Sequence, residues 1–155
     1  MAVSIQDILK NYEPKRENLM PILHDVNDTH GFVNDSAMQK IAKFLSISST
    51  EVYGKTTFYA FFNTEQKGEY IIRLCKSLSC DIIGKKKISE ALKKELGIGF
   101  WETTIDKKFT LEYTNCMGMC DIGPSMLVNK VMNTHLTPEK IKSVISDLKK
   151  GVPLS

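Results

Sequence analysis

Through the first sixty residues the apolar positions recur at spacings of three and four. Ile5, Ile8, Leu9 and Tyr12 make one stripe, and Leu19, Ile22, Leu23 and Val26 make a second that Gly31 stops, so two amphipathic helices are expected. Asp35 or Ser36 is placed to cap a third helix carrying Met38, Ile41, Ala42 and Leu45, and Ser48 with Glu51 matches the capping box of a fourth. That fourth helix leads into FYAFF, residues 58 to 62. Aromatics this dense are expected to pack a core, with a docking surface for another protein as the other reading.

The polar stretch NTEQKGE, residues 63 to 69, marks a boundary, and the period changes beyond it. Tyr70, Ile72 and Leu74 alternate as a half-buried strand does, and that strand delivers Cys75 at its end. After the loop that holds Cys80, Ile88, Ala91, Leu92 and Leu96 line a helix that Gly97 closes. A second strand is expected at Phe109, Leu111 and Tyr113, with Thr110, Glu112 and Thr114 on a wet face, and it too runs into a cysteine loop. SMLVN and the residues after Lys130 read as a short hairpin turning at Asn129-Lys130 without a glycine. Thr137 caps a last helix, Pro138 takes its first position, and Ile141, Val144, Ile145 and Leu148 form its stripe. The fold class is therefore α+β: a helical domain over residues 1–64, then a mixed-sheet α/β domain over 69–155.

Composition narrows the function. A chain of 155 residues with 42% apolar content can bury a core. A net charge of +3 with scattered lysines does not point to nucleic acid or a membrane surface; the largest basic run, Lys85-Lys86-Lys87, reads as a solvated helix face. The amino-terminal residues carry no signal-peptide core, and nowhere do eighteen apolar residues run together. A cytoplasmic protein without direct membrane insertion is expected, and in that reducing compartment clustered cysteines bind metal or do redox chemistry more readily than they form disulfides.

The four cysteines fall as two pairs, Cys75-x4-Cys80 and Cys116-x3-Cys120. Each pair follows the carboxyl end of a strand, so if the two strands lie parallel and close, both loops leave the same edge of the sheet and the sulfurs converge. Four thiolates suit tetrahedral zinc or an iron-sulfur cluster. Structural zinc is usually held by Cys-x2-Cys knuckles, and the wider gaps here suit a [2Fe-2S] cluster with one pair per iron. His24, His30 and His135 lie outside both loops, which argues against Rieske-type ligation, and no histidine stands beside a thiol to activate it. GIGFW breaks off after two glycines and no phosphate loop is present, so no familiar motif binds NAD or nucleotide. The chain reads as an electron relay; the alternative of another class is a binding module stabilised by zinc.

The two cysteine spacings, with PILHDVNDTHGFV, STEVYGKTTFYAFF, CMGMCDIGPSMLVN and LTPEKI, resemble the thioredoxin-like [2Fe-2S] ferredoxin family. That family includes the 24 kDa subunit of respiratory complex I and small subunits of NAD-linked hydrogenases and formate dehydrogenases. The resemblance spans roughly residues 15 to 148. It implies a thioredoxin-like sheet behind a small helical domain, and one [2Fe-2S] cluster held by Cys75, Cys80, Cys116 and Cys120. It also implies a flavin-bearing, NADH-binding iron-sulfur subunit that exchanges single electrons with the cluster, within a multisubunit oxidoreductase that has further iron-sulfur subunits. A soluble NAD-linked or electron-bifurcating hydrogenase is the expected parent complex. Respiratory complex I and a formate dehydrogenase are the alternatives, and the lack of a transit-peptide pattern favours a prokaryotic source. Pro124 resembles the cis-proline that precedes a strand in thioredoxin-like folds.

One segment departs from the family pattern Cys-x-Gly-Thr-Ala-Cys-His. Here CKSLSCD puts Asp81 where histidine is frequent and Ser77 in place of glycine. A carboxylate close to an anionic cluster disfavours adding an electron, while hydroxyl donors from Ser77 or Ser79 favour it. Gly118 lets the backbone between Cys116 and Cys120 turn its amides toward sulfur, and Met117 with Met119 is expected to shield the cluster from water.

Overall fold

In the computed structural model, which describes residues 4–152, the chain divides into two compact units, residues 1–66 and 67–155. The first unit is helical: α1 (Ile5–Leu9), a 3-10 turn at Arg16–Asn18, α2 (Leu19–His30), α3 (Asp35–Leu45) and α4 (Ser49–Phe58). The predicted stripes close one core, with Ile22, Leu23, Val26, Val33, Ile41 and Val52 fully buried. Gly31 ends α2 in the left-handed region at φ 80°, where glycine has no Cβ penalty. Ser48 caps α4 by accepting from the Glu51 amide. The cap of α3 is neither Asp35 nor Ser36: Asn34 accepts from the Ala37 amide at 2.9 Å, and Asp35 is the first helical residue.

The aromatic segment does not pack as one core block. Its helix stops at Phe58 and Tyr59 is extended, so the five residues share no single face. Phe62 is buried and Tyr59 half-buried against the helical core, whereas Phe58 is 77% exposed. Phe61 is also exposed and stacks on His24 at 5.1 Å.

The second unit holds β1 (Tyr70–Cys75), α5 (Leu78–Ile82), α6 (Lys85–Leu96), β2 (Glu102–Thr103), β3 (Phe109–Thr114), β4 (Met126–Val128), β5 (Val131–Asn133) and α7 (Pro138–Lys149). Its sheet is mixed, in the order β2-β3-β1-β4-β5. The core joins Ile72, Leu74, Leu111 and Met126 of the strands to Ile88 and Leu92 of α6 and Ile141 and Ile145 of α7. Thr137 caps α7 with Pro138 at its start. The hairpin turns at Asn129, which takes φ 52° without glycine. Its side chain accepts from the Ile71 amide and donates to the Glu69 carbonyl, which fixes the turn against β1.

The expected wet face of β3 is dry at Thr110 and Glu112 and half-buried at Thr114. Thr110 and Glu112 are buried, because β3 lies inside the sheet and residues 67 to 69 cross it. Thr110 Oγ1 accepts from the Gly68 amide, and Glu112 is paired with Arg73 at 3.1 Å and Lys67 at 3.2 Å. Gly68 fits this crossing only without a side chain, since a Cβ there would lie 2.7 Å from the Phe109 carbonyl carbon. No helix among the described residues is long and apolar enough to cross a membrane.

Candidate metal centre

Parallel pairing brings the two cysteine loops to one edge. β1 and β3 run side by side with Cys75 opposite Thr114, so Cys116 lies two residues past the register partner of Cys75. The chain then returns through Gly123-Pro124, whose peptide bond is cis, to Ser125, whose carbonyl accepts from the Cys75 amide at 3.1 Å. On its other side, the Lys76 amide donates to the Thr114 carbonyl. The end of β1 is therefore clasped by both arms of the second loop.

Cys75 is the last residue of β1, and Cys80 sits in α5, a short helix inside what the sequence suggested was a loop. Both are buried; Cys116 and Cys120 are exposed, and all four are free thiols. Cys116 Sγ and Cys120 Sγ are 3.2 Å apart, and the Gly118 amide donates to Cys116 Sγ at 3.4 Å from a left-handed backbone. The two pairs also meet each other. The Met117 amide and the Cys80 side chain both act on the Cys75 thiol, and Ser79 and Cys80 act on that of Cys120. A Cβ on Gly123 would approach Cys80 Sγ to 3.4 Å, which puts the returning segment before β4 against that sulfur.

Local electrostatics separate the sulfurs. Burial works against ionising Cys75 more than any other single influence. Bonds from the Ser77 hydroxyl and amide, the Cys80 side chain and the Met117 amide together nevertheless hold its thiol below the usual cysteine value. The Ser77 hydroxyl lies 3.2 Å from Cys75 Sγ. The Cys120 thiol is pushed up, chiefly by its bond with Cys116, against the opposing bond from Ser79. Asp81, directly after Cys80, pairs with Lys85 at 3.2 Å, so part of the carboxylate's charge is offset on the spot.

The donor set fits a soft, multi-iron guest. Four thiols are present as two pairs, Cys75 with Cys80 and Cys116 with Cys120. Hydroxyls and backbone amides line the edge as donors toward anionic sulfur. Met117 and Met119 are half-buried beside the pair they flank. Of the histidines, His24 stacks against Phe61 and Phe62 in the helical unit. His135 reaches the second loop through its backbone alone, donating to the Ile122 carbonyl. Two contributors escaped the sequence reading. The Asp81–Lys85 pair had a signal in its four-residue spacing, from α5 to the first residue of α6; Ser125, paired by backbone with Cys75, had none, since its place depends on strand pairing.

The sequence profile of the family described as thioredoxin-like [2Fe-2S] ferredoxin matches residues 5–149. The chain is 37% identical over 151 residues to the alpha subunit of the NAD-reducing hydrogenase HoxS of Cupriavidus necator, covering 97% of this chain and 25% of that one. It thus spans about a quarter of that relative's length. It is also 37% identical over 146 residues to a subunit of the NADH-quinone oxidoreductase of Escherichia coli K12, covering 94% of this chain and 88% of the relative. In fold it is similar to the crystal structure of an NAD+-reducing [NiFe]-hydrogenase in the H2-reduced state, with a TM-score of 0.79 at 21% identity over 90% of this chain and 24% of that one. The chain belongs to the thioredoxin-like [2Fe-2S] ferredoxin family.

Proposed function

We propose that Cys75, Cys80, Cys116 and Cys120 hold one [2Fe-2S] cluster, one pair to each iron, within a cluster-binding domain over residues 69–155 that follows a helical domain over 1–64. The observation that carries this is the meeting of two sequence-distant thiol pairs at the shared carboxyl edge of β1 and β3. The cluster, when bound, supplies a one-electron couple. Its charge is about −2 oxidised and about −3 reduced, so the chain's own task is to set out donors and cations that offset it. The Met117 and Gly118 amides, the Ser77 and Ser79 hydroxyls and Lys85 are so placed.

The chain acts as an electron-transfer subunit, exchanging single electrons with a flavin-bearing, NADH-binding iron-sulfur subunit in a multisubunit oxidoreductase on the cytoplasmic side. Similarity to the hydrogenase alpha subunit supports an NAD-linked hydrogenase as the parent complex. Equal identity to the quinone-reductase subunit, over most of that relative's length, supports the second reading, a respiratory NADH:quinone oxidoreductase.

Anaerobically purified protein tests the cofactor. About two irons and two sulfides per chain, a red-brown colour and an EPR signal on dithionite reduction are expected. A colourless protein containing zinc would leave only the binding-module reading. Affinity capture from the native host, followed by identification of the companion subunits, tests the parent complex: a [NiFe] subunit supports the hydrogenase, quinone-reductase subunits the alternative.

A further inference from the structure

Ser125 is the second residue after the cis bond, 1% exposed, and its Oγ has no hydrogen-bond partner. A buried hydroxyl in that condition carries a desolvation penalty, and native proteins rarely leave one unanswered. Its position indicates what answers it. Continuing the antiparallel register of Leu74 with Met126 places Ser125 opposite Cys75, and the Cys75 amide donates to the Ser125 carbonyl. Residues directly opposite in an antiparallel pair point to the same face, with Cβ atoms about 5 Å apart. Ile72, Leu74, Met126 and Val128 occupy the core face, so Cys75 and Ser125 share the other one. The unpaired hydroxyl therefore shares one face of the sheet with the sulfur of Cys75.

We propose that Ser125 donates a hydrogen bond from Oγ to a sulfur on the Cys75 side of the cluster and thereby raises its reduction potential. This rests on the ligand assignment above. Reduction adds negative charge to the sulfurs, a donor stabilises the reduced form more than the oxidised, and loss of the donor makes reduction harder. Ser125 is a positioning residue in this account, since it ligates no iron.

The purified, cluster-loaded protein with Ser125→Ala tests it. At the wild-type midpoint potential, EPR-monitored titration is expected to show a reduced-to-oxidised ratio lowered about threefold to tenfold, tenfold being 59 mV for a one-electron couple. Pulsed EPR of the reduced wild type in D2O is expected to show an exchangeable hydron coupling that Ser125→Ala lacks and Ser125→Thr restores. The apo-protein should respond with the opposite sign: Ser125→Ala, which removes an unanswered hydroxyl, should unfold at the same or a higher urea concentration than wild type. An unchanged midpoint with an unchanged hydron coupling would overturn the proposal, and so would a destabilised Ser125→Ala apo-protein, because the hydroxyl would then have its partner within the chain. Iron-free wild type would remove the ligand assignment itself.

Discussion

The two halves of the thiol site are built differently. Cys75 and Cys80 are each 1% exposed, one locked into the ladder of β1 between Thr114 and Ser125, the other in α5 with Gly123 lying over its sulfur. Cys116 and Cys120 are exposed on a segment without regular structure. Their local order rests on the Gly118 amide and on bonds reaching across from the first half. One half is buried within the folded unit. The other has few buried contacts of its own, the condition under which local opening is cheap, so it is the half that a bound cluster would order.

Serine at each position is the most forceful way to break this contrast. All four single Cys→Ser variants are expected to lose the full complement of iron and sulfide, which elemental analysis reads. In the apo-proteins they should part company. Cys80→Ser buries a hydroxyl in a site shaped for sulfur and should cost about 1–3 kcal/mol in urea unfolding, whereas exposed Cys116→Ser should stay within about 0.5 kcal/mol of wild type. Equal losses would mean that the second loop is as much a part of the core as the first. Full retention of cluster by Cys116→Ser would unseat it as a ligand.

Reactivity sharpens the same contrast without mutation. In apo-protein treated with iodoacetamide and mapped by mass spectrometry, Cys116 and Cys120 should be modified first, and Cys75 and Cys80 only at the rate of local unfolding. Because the Cys120 thiol is raised by Cys116, its thiolate forms at higher pH than that of an ordinary cysteine. Its alkylation rate should therefore still be climbing where a free peptide thiol, half-ionised near pH 8.5, has levelled off.

The sequence disclosed these halves unevenly, and for physical reasons. Strand ends at Cys75 and after Tyr113 were legible because alternation along a strand is a local signal, and convergence followed once the strands were taken as parallel neighbours. The difference in burial was not legible. Cys80 is covered by Gly123, and Ser125 meets Cys75, only through pairing between residues some forty to fifty positions apart. The dry face of β3 was missed on the same ground: Glu112 looks solvated until Arg73 and Lys67 are brought against it. β2 has two residues and α5 has five, too few for any period to register. In FYAFF the composition suggested burial, but direction depends on where α4 ends, and a helix end shifts by a residue or two without leaving a clear mark.

Gly118 carries a smaller effect. At φ 81° with open space around its Cα, Gly118→Ala meets no steric obstacle and should cost about 1–2 kcal/mol of backbone strain, paid where the second loop is ordered by a guest. Its mark should therefore be faster cluster loss to a chelator, followed by absorbance, with apo-protein unfolding little changed. The same change in apo stability as in cluster retention would mean that the loop holds its bound shape unaided.

The finest distinction lies in two hydroxyls that both belong to the first half. Ser77 bonds Cys75, and Ser79 reaches over to Cys120. If each pair takes one iron, as proposed above, each hydroxyl would serve a different iron. An added electron would make the half of the cluster that takes it more negative by one charge, and solvent stabilises that charge better at the exposed pair. Ser79→Ala should then lower the midpoint potential more than Ser77→Ala, in EPR-monitored titrations of the two variants. The reverse order would put the electron on the buried iron, where fixed donors such as the Met117 amide, and not water, would have to carry the charge.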